Sequence, residues 1–398
     1  MSDSLDAILA VNAGSSSLKF ALYPQHGREI GAARFSGNIE GLEAGGAPVV
    51  KVSGKDGSTI HTLEPGDGCP HDRALTALDL VLKQHAEGIR ITAIAHRIVH
   101  GGERLSESVV LNDEMLAYLT SLSSLAPLHQ PHNLAGVRAF RRSFPKLPQV
   151  GCFDTAFHAT LPQTEYLFAL PQALREMGIR RYGFHGLSYR YVVDRLFEHS
   201  PRAHGRVVVA HLGNGASACA VQDGKSVATT MGFSALDGLM MGTRSGEVDP
   251  GVLLHLLRGG WSPEQLERML YRESGLRGVS GISADMRTLR ASDVPAAKLA
   301  IEIFTHRLVR ECGALASCLG GLDVIAFTGG IGEHDAALRR DTCQALAYLG
   351  VQIDEVANRE ATGDAIRAIH APESGVEVWV VPTDEGRVAA QDAARLTS

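Results

Sequence analysis

Three short glycine-rich stretches carry the residues best suited to chemistry in this chain. Asn12 precedes Gly14-Ser15-Ser16-Ser17 and Lys19. Backbone N–H groups and hydroxyls in such a loop can surround a phosphate, and the lysine adds charge. The second stretch is His211-Leu212-Gly213-Asn214-Gly215, and the third is Thr328-Gly329-Gly330-Ile331-Gly332-Glu333-His334. The third lies between an apolar run and a helical pattern that starts at Ala336, which places backbone donors at a helix N-terminus, where anions are favoured. One such loop reads as a plain turn; three of them at the ends of apolar runs point to phosphate binding. Lys19 also has a plainer reading as a solvated strand residue, since Leu18, Phe20 and Leu22 face the other side.

Charged residues gather at matching places. Arg97 directly follows a buried apolar run, where a guanidinium is costly without an anionic partner. Arg244 sits in Met241-Gly242-Thr243-Arg244-Ser245-Gly246, another stretch of small residues. Either arginine also reads as half of a structural ion pair. Asn12, Asp154 and Glu385 stand at separate strand ends and offer the oxygen ligands that Mg²⁺ takes alongside water. His185, in Tyr182-Gly183-Phe184-His185-Gly186, reads equally as a hydrogen-bonded core residue or as a functional one. Glycine loops, two arginines, a histidine and carboxylates together suit phosphoryl transfer, which needs positioning and charge neutralisation more than covalent chemistry.

Other nucleotide and hydrolase patterns fail. Gly224-Lys225-Ser226 lacks the upstream glycine of a Walker A loop, because position 219 is Cys. Gly213-Asn214-Gly215-Ala216-Ser217-Ala218 fits the dinucleotide fingerprint in letters, but it runs into another strand and a tight Asp223-Gly224 turn rather than a helix. The chain has neither a G-x-S-x-G elbow nor an H-E-x-x-H pair.

The elements that must hold these groups are short strands alternating with helices. Ile8–Val11, Ile91–Ala95, Val150–Phe153, Val207–Ala210, Val324–Phe327 and Val376–Val381 have the length and composition of buried strands. Ala74–His85, Asp113–Leu122, Tyr189–Phe197, Ala296–Leu319 and Ala336–Leu349 have helical periodicity. The pattern is that of an α/β protein with ligands beyond the carboxyl ends of its strands. Residues 8–35 and 207–231 both read strand, small-residue loop, strand, turn, strand, with Gly14 and Ser16 aligned on Gly215 and Ser217. That suggests two halves of like topology. Residues 41–48 and 54–68 read as glycine-rich surface loop or hairpin.

Composition narrows the partners. The 398 residues carry a net charge of −6, without the basic surplus of a nucleic-acid or anionic-membrane binder. No apolar run is long enough to span a bilayer, and the start of the chain lacks signal-peptide character. Six cysteines without C-x-x-C spacing read as free thiols in a reducing compartment, hence the cytoplasm. Glycine is in excess at 43 residues, which indicates backbone brought close to a ligand.

At this point the motifs resemble the acetokinase family, within the acetate/sugar kinase–Hsp70–actin superfamily. The resemblance rests on Val11–Phe20, His96–Gly102, Pro127-Leu128-His129, Phe153–His158, Arg181–Gly186, His211–Gly215, Met241–Gly246, Phe327–Glu333 and Pro382–Glu385, in family order along almost the whole chain. It implies two similar ribonuclease H-like domains, residues 1–153 with 386–398 and residues 154–385, with a cleft as the active site. It implies reversible transfer of phosphate from ATP to acetate with Mg²⁺, for which Mn²⁺ can substitute, in a cytoplasmic homodimer. Asn12 and Glu385 would hold the metal. Arg97 would bind the acetate carboxylate, with His129 beside it. Asp154 would be the active-site carboxylate, and His185 and Arg244 would stabilise the moving phosphoryl group. Lys19, His211–Gly215, Asp285-Met286-Arg287 and Gly330–His334 would contact ATP. Val99, Leu128 and Phe184 would line the methyl pocket.

The chain departs from the family pattern at several positions. Ala235 stands where the family has the proline that closes the methyl pocket, which makes propionate an alternative substrate. Leu187 and Tyr189 replace threonine and histidine of Phe-His-Gly-Thr-Ser-His, and His334 replaces an asparagine. A non-catalytic actin- or Hsp70-like ATPase would keep the glycine loops but has no use for Arg97, Arg244 and His185 around a small anion.

Overall fold

A computed structural model describes residues 5–43, 45–54, 57–64 and 69–398. The chain forms two compact units, Met1–Ala156 with Asp384–Ser398, and Phe157–Thr383.

The first unit is built on a mixed sheet. Its strands are β1 (Leu5–Ala13), β2 (Leu18–His26), β3 (Glu29–Ile30), β4 (Phe35–Glu40), β5 (Val49–Gly54), β6 (Gly57–Thr62), β7 (Ile89–Ile98), β8 (Val109–Val110) and β9 (Gln149–Phe153). The order is β6-β5-β4-β2-β1-β7-β9-β8, with β3 on β2. Leu9, Val11, Leu18, Phe20 and Leu22 pack with Ala77, Leu78, Val81 and Phe140 from the helices Pro70–His85 and Gln130–Ser143. The C-terminal helix Glu385–Thr397 also packs on β1, β7 and β9. Alternate residues of β1, such as Ile8 and Ala10, are therefore buried as well, which explains an unbroken apolar run in place of alternation. The residues expected as glycine-rich hairpin include the β5–β6 hairpin, closed between Gly54 and Gly57; residues 44, 55–56 and 65–68 lie outside the described residues.

The second unit repeats the plan. Its strands are β10 (Arg206–Leu212), β11 (Ala216–Gln222), β12 (Lys225–Thr229), β13 (Val324–Thr328), β14 (Arg367–Ala368) and β15 (Glu377–Val380), in the order β12-β11-β10-β13-β15-β14. Direction matches too. β1 runs antiparallel to β2 and parallel to β7, as β10 runs antiparallel to β11 and parallel to β13. The repeat in topology is real, but a single residue offset does not describe it. The first loop turns between Ala13 and Leu18 and the second between Leu212 and Ala216, so the loops differ in length and aligning Gly14 with Gly215 misaligns the strands.

All six expected strands and all five expected helices are present; most are extended by a few residues, whereas Val376–Val381 is trimmed to Glu377–Val380, Asp113–Leu122 ends at Ser121, and Ala336–Leu349 is broken into Ala336–Ala345 and a short 3₁₀ turn. Among the described residues, ten further α-helices were not expected, most of them short; three of these bear on the site. Gln130–Ser143 buries the polar Gln130 and Asn133, and Glu385–Thr397 buries small alanines, so neither shows a strong apolar stripe. Gly329–His334, expected as a loop, is a short helix.

Candidate active site

In the first unit, the carboxyl ends of the parallel strands β1, β7 and β9 lie side by side. Val11 pairs with His96, and one residue further along stand Asn12 and Arg97. Asp154 leaves β9 with its N–H bonded to Ile98 O at 3.1 Å. Arg97 then donates from Nε to Asp154 Oδ1 at 3.0 Å and from Nη2 to Oδ2 at 2.6 Å, a two-pronged ion pair. Glu385 Oε2 lies 3.3 Å from Arg97 Nε. Burial works against the arginine charge, but Asp154 and then Glu385 outweigh it and hold the guanidinium protonated beyond its usual range. Nη1 carries the donors not used in that pair. One guanidinium between two carboxylates leaves the cluster negative, and the donors at hand, with the Asn12 amide, are oxygens. That chemistry fits a hard divalent cation. The chain divides after Ala156 and before Asp384, rather than after residue 153 and before 386, so Asp154 and Glu385 share a unit with Arg97.

Buried amides fix the neighbouring backbone. Asn133 accepts from Val99 N–H at 3.0 Å and donates to Ala13 O at 2.7 Å. Gln130 donates to His100 O at 2.9 Å and accepts from its N–H at 3.3 Å. Helix Gln130–Ser143 comes this close because Gly136 has no side chain: a Cβ there would lie 2.6 Å from that of Ala13. Val99 is buried, whereas Leu128 and His129, the latter at the helix start, are partly exposed. Lys19 is exposed on β2, opposite Asn12.

In the second unit, His185 precedes helix Gly186–His199 in a left-handed conformation, φ 58° and ψ 22°. A non-glycine residue pays about 1 kcal/mol or more for that geometry, and such residues cluster at functional sites. The ring is held on two sides. Nδ1 is 2.8 Å from Ser217 Oγ, and the ring stacks on His211 with centroids 4.3 Å apart. His211 Nδ1 is itself 2.8 Å from Ser188 Oγ, which is 2.8 Å from Thr383 Oγ1. Gly215 shows what this arrangement encloses. A Cβ on it would lie 3.5 Å from His185 Nε2 and 3.8 Å from Arg244 Nη1, ordinary contact distances that bring imidazole and guanidinium to the same side of this residue. Arg244 Nη1 donates to Ala235 O at 2.8 Å. Phe184 is buried, and its carbonyl accepts from His158 Nε2 at 2.9 Å.

The remaining nucleotide candidates are engaged with one another. Asp285 caps a short helix through Arg287 N–H at 2.8 Å and pairs with the Arg287 side chain, which holds its carboxyl down at about 2. Met286 is buried. Glu333 turns inward: Oε1 accepts from Gly329 N–H at 2.9 Å and Thr383 N–H at 3.1 Å. Behind that segment the buried Arg339 donates to the carbonyls of Gly332 and Glu333 at 2.8 Å and to Asn358 and Ala361. Sequence reading missed Asn133, Gln130, Ser188, Tyr189, Thr383 and Arg339 as supports. Of the hydroxyls around the imidazoles, only Ser217 carried a signal, through its place in the repeat.

Comparison with known proteins follows from this geometry. A model of the Acetokinase family matches residues 7–391. The chain is 50% identical over 395 residues to the acetate kinase of Rhodopseudomonas palustris, covering 98% of each. It is 44% identical over 396 residues to the propionate kinase of Yersinia enterocolitica, covering 98% of this chain and 95% of that one. The crystal structure of Porphyromonas gingivalis acetate kinase matches with a TM-score of 0.87 at 36% identity, over 99% of this chain and 100% of the other. That of a propionate kinase from Francisella tularensis matches with a TM-score of 0.88 at 37% identity, over 98% and 99%.

Proposed function

The chain belongs to the acetokinase family, and from that premise we propose that it moves the γ-phosphoryl group of ATP to acetate, reversibly, by direct in-line transfer. Its two α/β units are the paired actin/Hsp70-type domains of that fold. The acceptor is a carboxylate, whose pKa near that of side-chain carboxyls, about 4, leaves it ionised at pH 7, so no general base is required. The obstacle is bringing two anions together. The first unit addresses the acceptor: Asp154 and Glu385 orient Arg97, whose Nη1 donors bind the acetate carboxylate. Val99, Leu128, His129 and Phe184 shape the pocket for its methyl group. The second unit addresses the phosphoryl group, with His185 Nε2 and Arg244 Nη1 on the two sides of Gly215. Backbone N–H groups of Gly213–Gly215 and Gly330–His334, with Lys19, His211, Leu212 and Asp285–Arg287, hold the nucleotide. Asn12 and Glu385 would hold Mg²⁺ (or Mn²⁺), which when bound neutralises charge on the phosphate oxygens.

The observation that carries this reading is the approach of His185 and Arg244 to Gly215. Trapping of acyl phosphate by hydroxylamine, with ATP, Mg²⁺ and acetate, tests it. Acetyl hydroxamate formed in step with ADP is expected. ATP hydrolysis without hydroxamate would point instead to a non-catalytic actin- or Hsp70-like ATPase. A second reading, a propionate kinase, is favoured by Ala235 in place of the family proline, and propionate and butyrate belong in the same assay. A hundredfold preference for acetate in kcat/KM would dismiss it.

A homodimer and a cytoplasmic location complete the proposal. Helix Pro250–Arg258 has no buried residue, and Val252, Leu254 and Leu257 are 46%, 52% and 42% exposed, an apolar face suited to a second copy. All six cysteines are free thiols, as a reducing compartment allows.

A further inference from the structure

We propose that Tyr189 is a positioning residue for His185, acting through Ser217 to hold the imidazole as the neutral tautomer with its proton on Nε2. The inference rests on the role given to His185 above and goes beyond it, because it assigns the proton.

The geometry is a chain of three groups. Ser217 Oγ is bonded to His185 Nδ1 at 2.8 Å and, on its other side, to the Tyr189 hydroxyl. Tyr189 and Ser217 are fully buried. Among the described residues, Ser217 Oγ is the only hydrogen-bond partner of the phenol. The rest of its surroundings is ring and aliphatic carbon with the Cys219 and Cys312 side chains. Phe157 and His158 lie 6.1 Å and 5.6 Å away by ring centroid, with Val192, Val193 and Leu196 in the same cluster.

Proton counting sets the direction of both bonds. Ser217 has one hydroxyl proton. If Tyr189 donates to Ser217 and Ser217 donates to Nδ1, every buried proton has an acceptor and Nε2 carries the imidazole N–H. If Nδ1 carried the proton and donated to Ser217, the serine proton would have to turn to Tyr189 or to apolar surroundings. Either way one buried hydroxyl proton would be stranded, and an unmade buried hydrogen bond is expensive. The arrangement therefore leaves Nε2–H pointing to the Gly215 side, where Arg244 Nη1 also lies. From there it can donate to a phosphoryl oxygen.

Other groups around the chain do not compete for these protons. His211, stacked on His185, is bonded through Nδ1 to Ser188. His158, beside Tyr189, is bonded to Ser226 and to the Phe184 carbonyl. Burial keeps the phenol protonated and hence a donor at any working pH.

Tyr189→Phe, Ser217→Ala, the double variant and His185→Ala, each in the full-length chain, test the proposal. Tyr189→Phe removes one hydroxyl and keeps the packing. It should lower kcat about threefold to tenfold, the range of one neutral hydrogen bond, with KM for acetate unchanged. Without the phenol, Ser217 becomes a better acceptor and Nδ1 is protonated more easily. The acid limb of the kcat–pH profile should therefore move up by about half a unit. The double variant should be no slower than Ser217→Ala, because both break one chain. Imidazole ¹⁵N shifts should report the Nε2–H tautomer of His185 in the parent and its loss in Tyr189→Phe. A Tyr189→Phe enzyme with parental kcat, profile and ¹⁵N shifts would overturn the proposal, as would effects that multiply in the double variant. Full activity in His185→Ala would instead sink the role of His185, and is read separately.

Discussion

Arg97, near the end of β7 in the first unit, and Arg244, in a loop after β12 in the second, are held by different kinds of partner. Arg97 is gripped by Asp154 and Glu385, at 2.6 to 3.3 Å. Arg244 donates to a neutral carbonyl, that of Ala235, and the imidazoles near it are positioned by the hydroxyls of Ser217 and Ser188. Carboxylates fix a guanidinium firmly but cancel its field. Hydroxyls and carbonyls fix direction while adding no countercharge. The first arrangement suits a group that must orient a small carboxylate beside a metal; the second suits groups that must meet negative charge developing on a phosphoryl group.

The strongest way to break this contrast is Arg244→Ala. A donor aimed at the charge of the transition state is commonly worth about 10²–10³ in rate, so kcat should fall by that factor. A thermal melting curve of the variant separates a loss of rate from a loss of fold. Steady-state kinetics with acetate and a melting curve together decide the matter. Near-normal kcat would remove Arg244 from the chemistry and the contrast with it.

Acid stability compares the units on a property they share. His96 in the first unit donates to Gln149 Oε1 at 2.6 Å, and His158 in the second is bonded to Ser226 and the Phe184 carbonyl. Burial lowers both to about 4, and their hydrogen bonds raise them only partly. Unfolded, each returns to about 6.5. Between those values the unfolded chain binds protons that the native chain does not, so stability is present above pH 6.5 and is lost as pH falls toward 4. Each histidine contributes at most about 1.4 kcal/mol per pH unit. Urea midpoints from pH 7.5 to 5 should fall in the parent and fall less steeply in both His96→Gln and His158→Gln. A slope changed in only one of the two would mean that the units differ in their cores as well as at their strand ends.

How much of this was legible in the sequence follows from the range of each interaction. The six buried strands and the glycine loops were readable because they are local: apolar run, then small residues. Arg97, Asp154 and Glu385 were each singled out alone, but nothing local tells that one guanidinium meets both carboxylates, 57 and 288 positions away. The supports were harder still. Asn133 and Gln130 are amides set at the start of an otherwise apolar buried face, and Arg339 looks like any surface arginine until its five donors are seen on buried carbonyls and an amide. Glu333 stood in a motif that suggested ligand contact, whereas its Oε1 is spent on its own loop. Polar groups that satisfy distant backbone leave no periodic trace.

The finest test of the contrast concerns what sits beside each arginine, and it turns on Ala235. Its carbonyl receives Arg244, so on the proposed function this residue would join the phosphoryl-binding guanidinium to the pocket for the acceptor's methyl group. Ala235→Pro keeps that carbonyl and adds ring atoms. No hydrogen bond from the Ala235 N–H is lost among those described. Arg244 should therefore stay in place while the pocket narrows. One methylene in an apolar pocket is worth about 1–3 kcal/mol of discrimination, or roughly tenfold and upward. The ratio of kcat/KM for acetate over propionate should rise by about the lower end of that range, with acetate kcat nearly constant. A loss of kcat on both substrates would mean that the backbone at 235 positions Arg244 more tightly than the bond to its carbonyl implies. An unchanged ratio would mean that acceptor length is read by Val99 and Leu128 in the first unit, and that the division of labour extends to the methyl group.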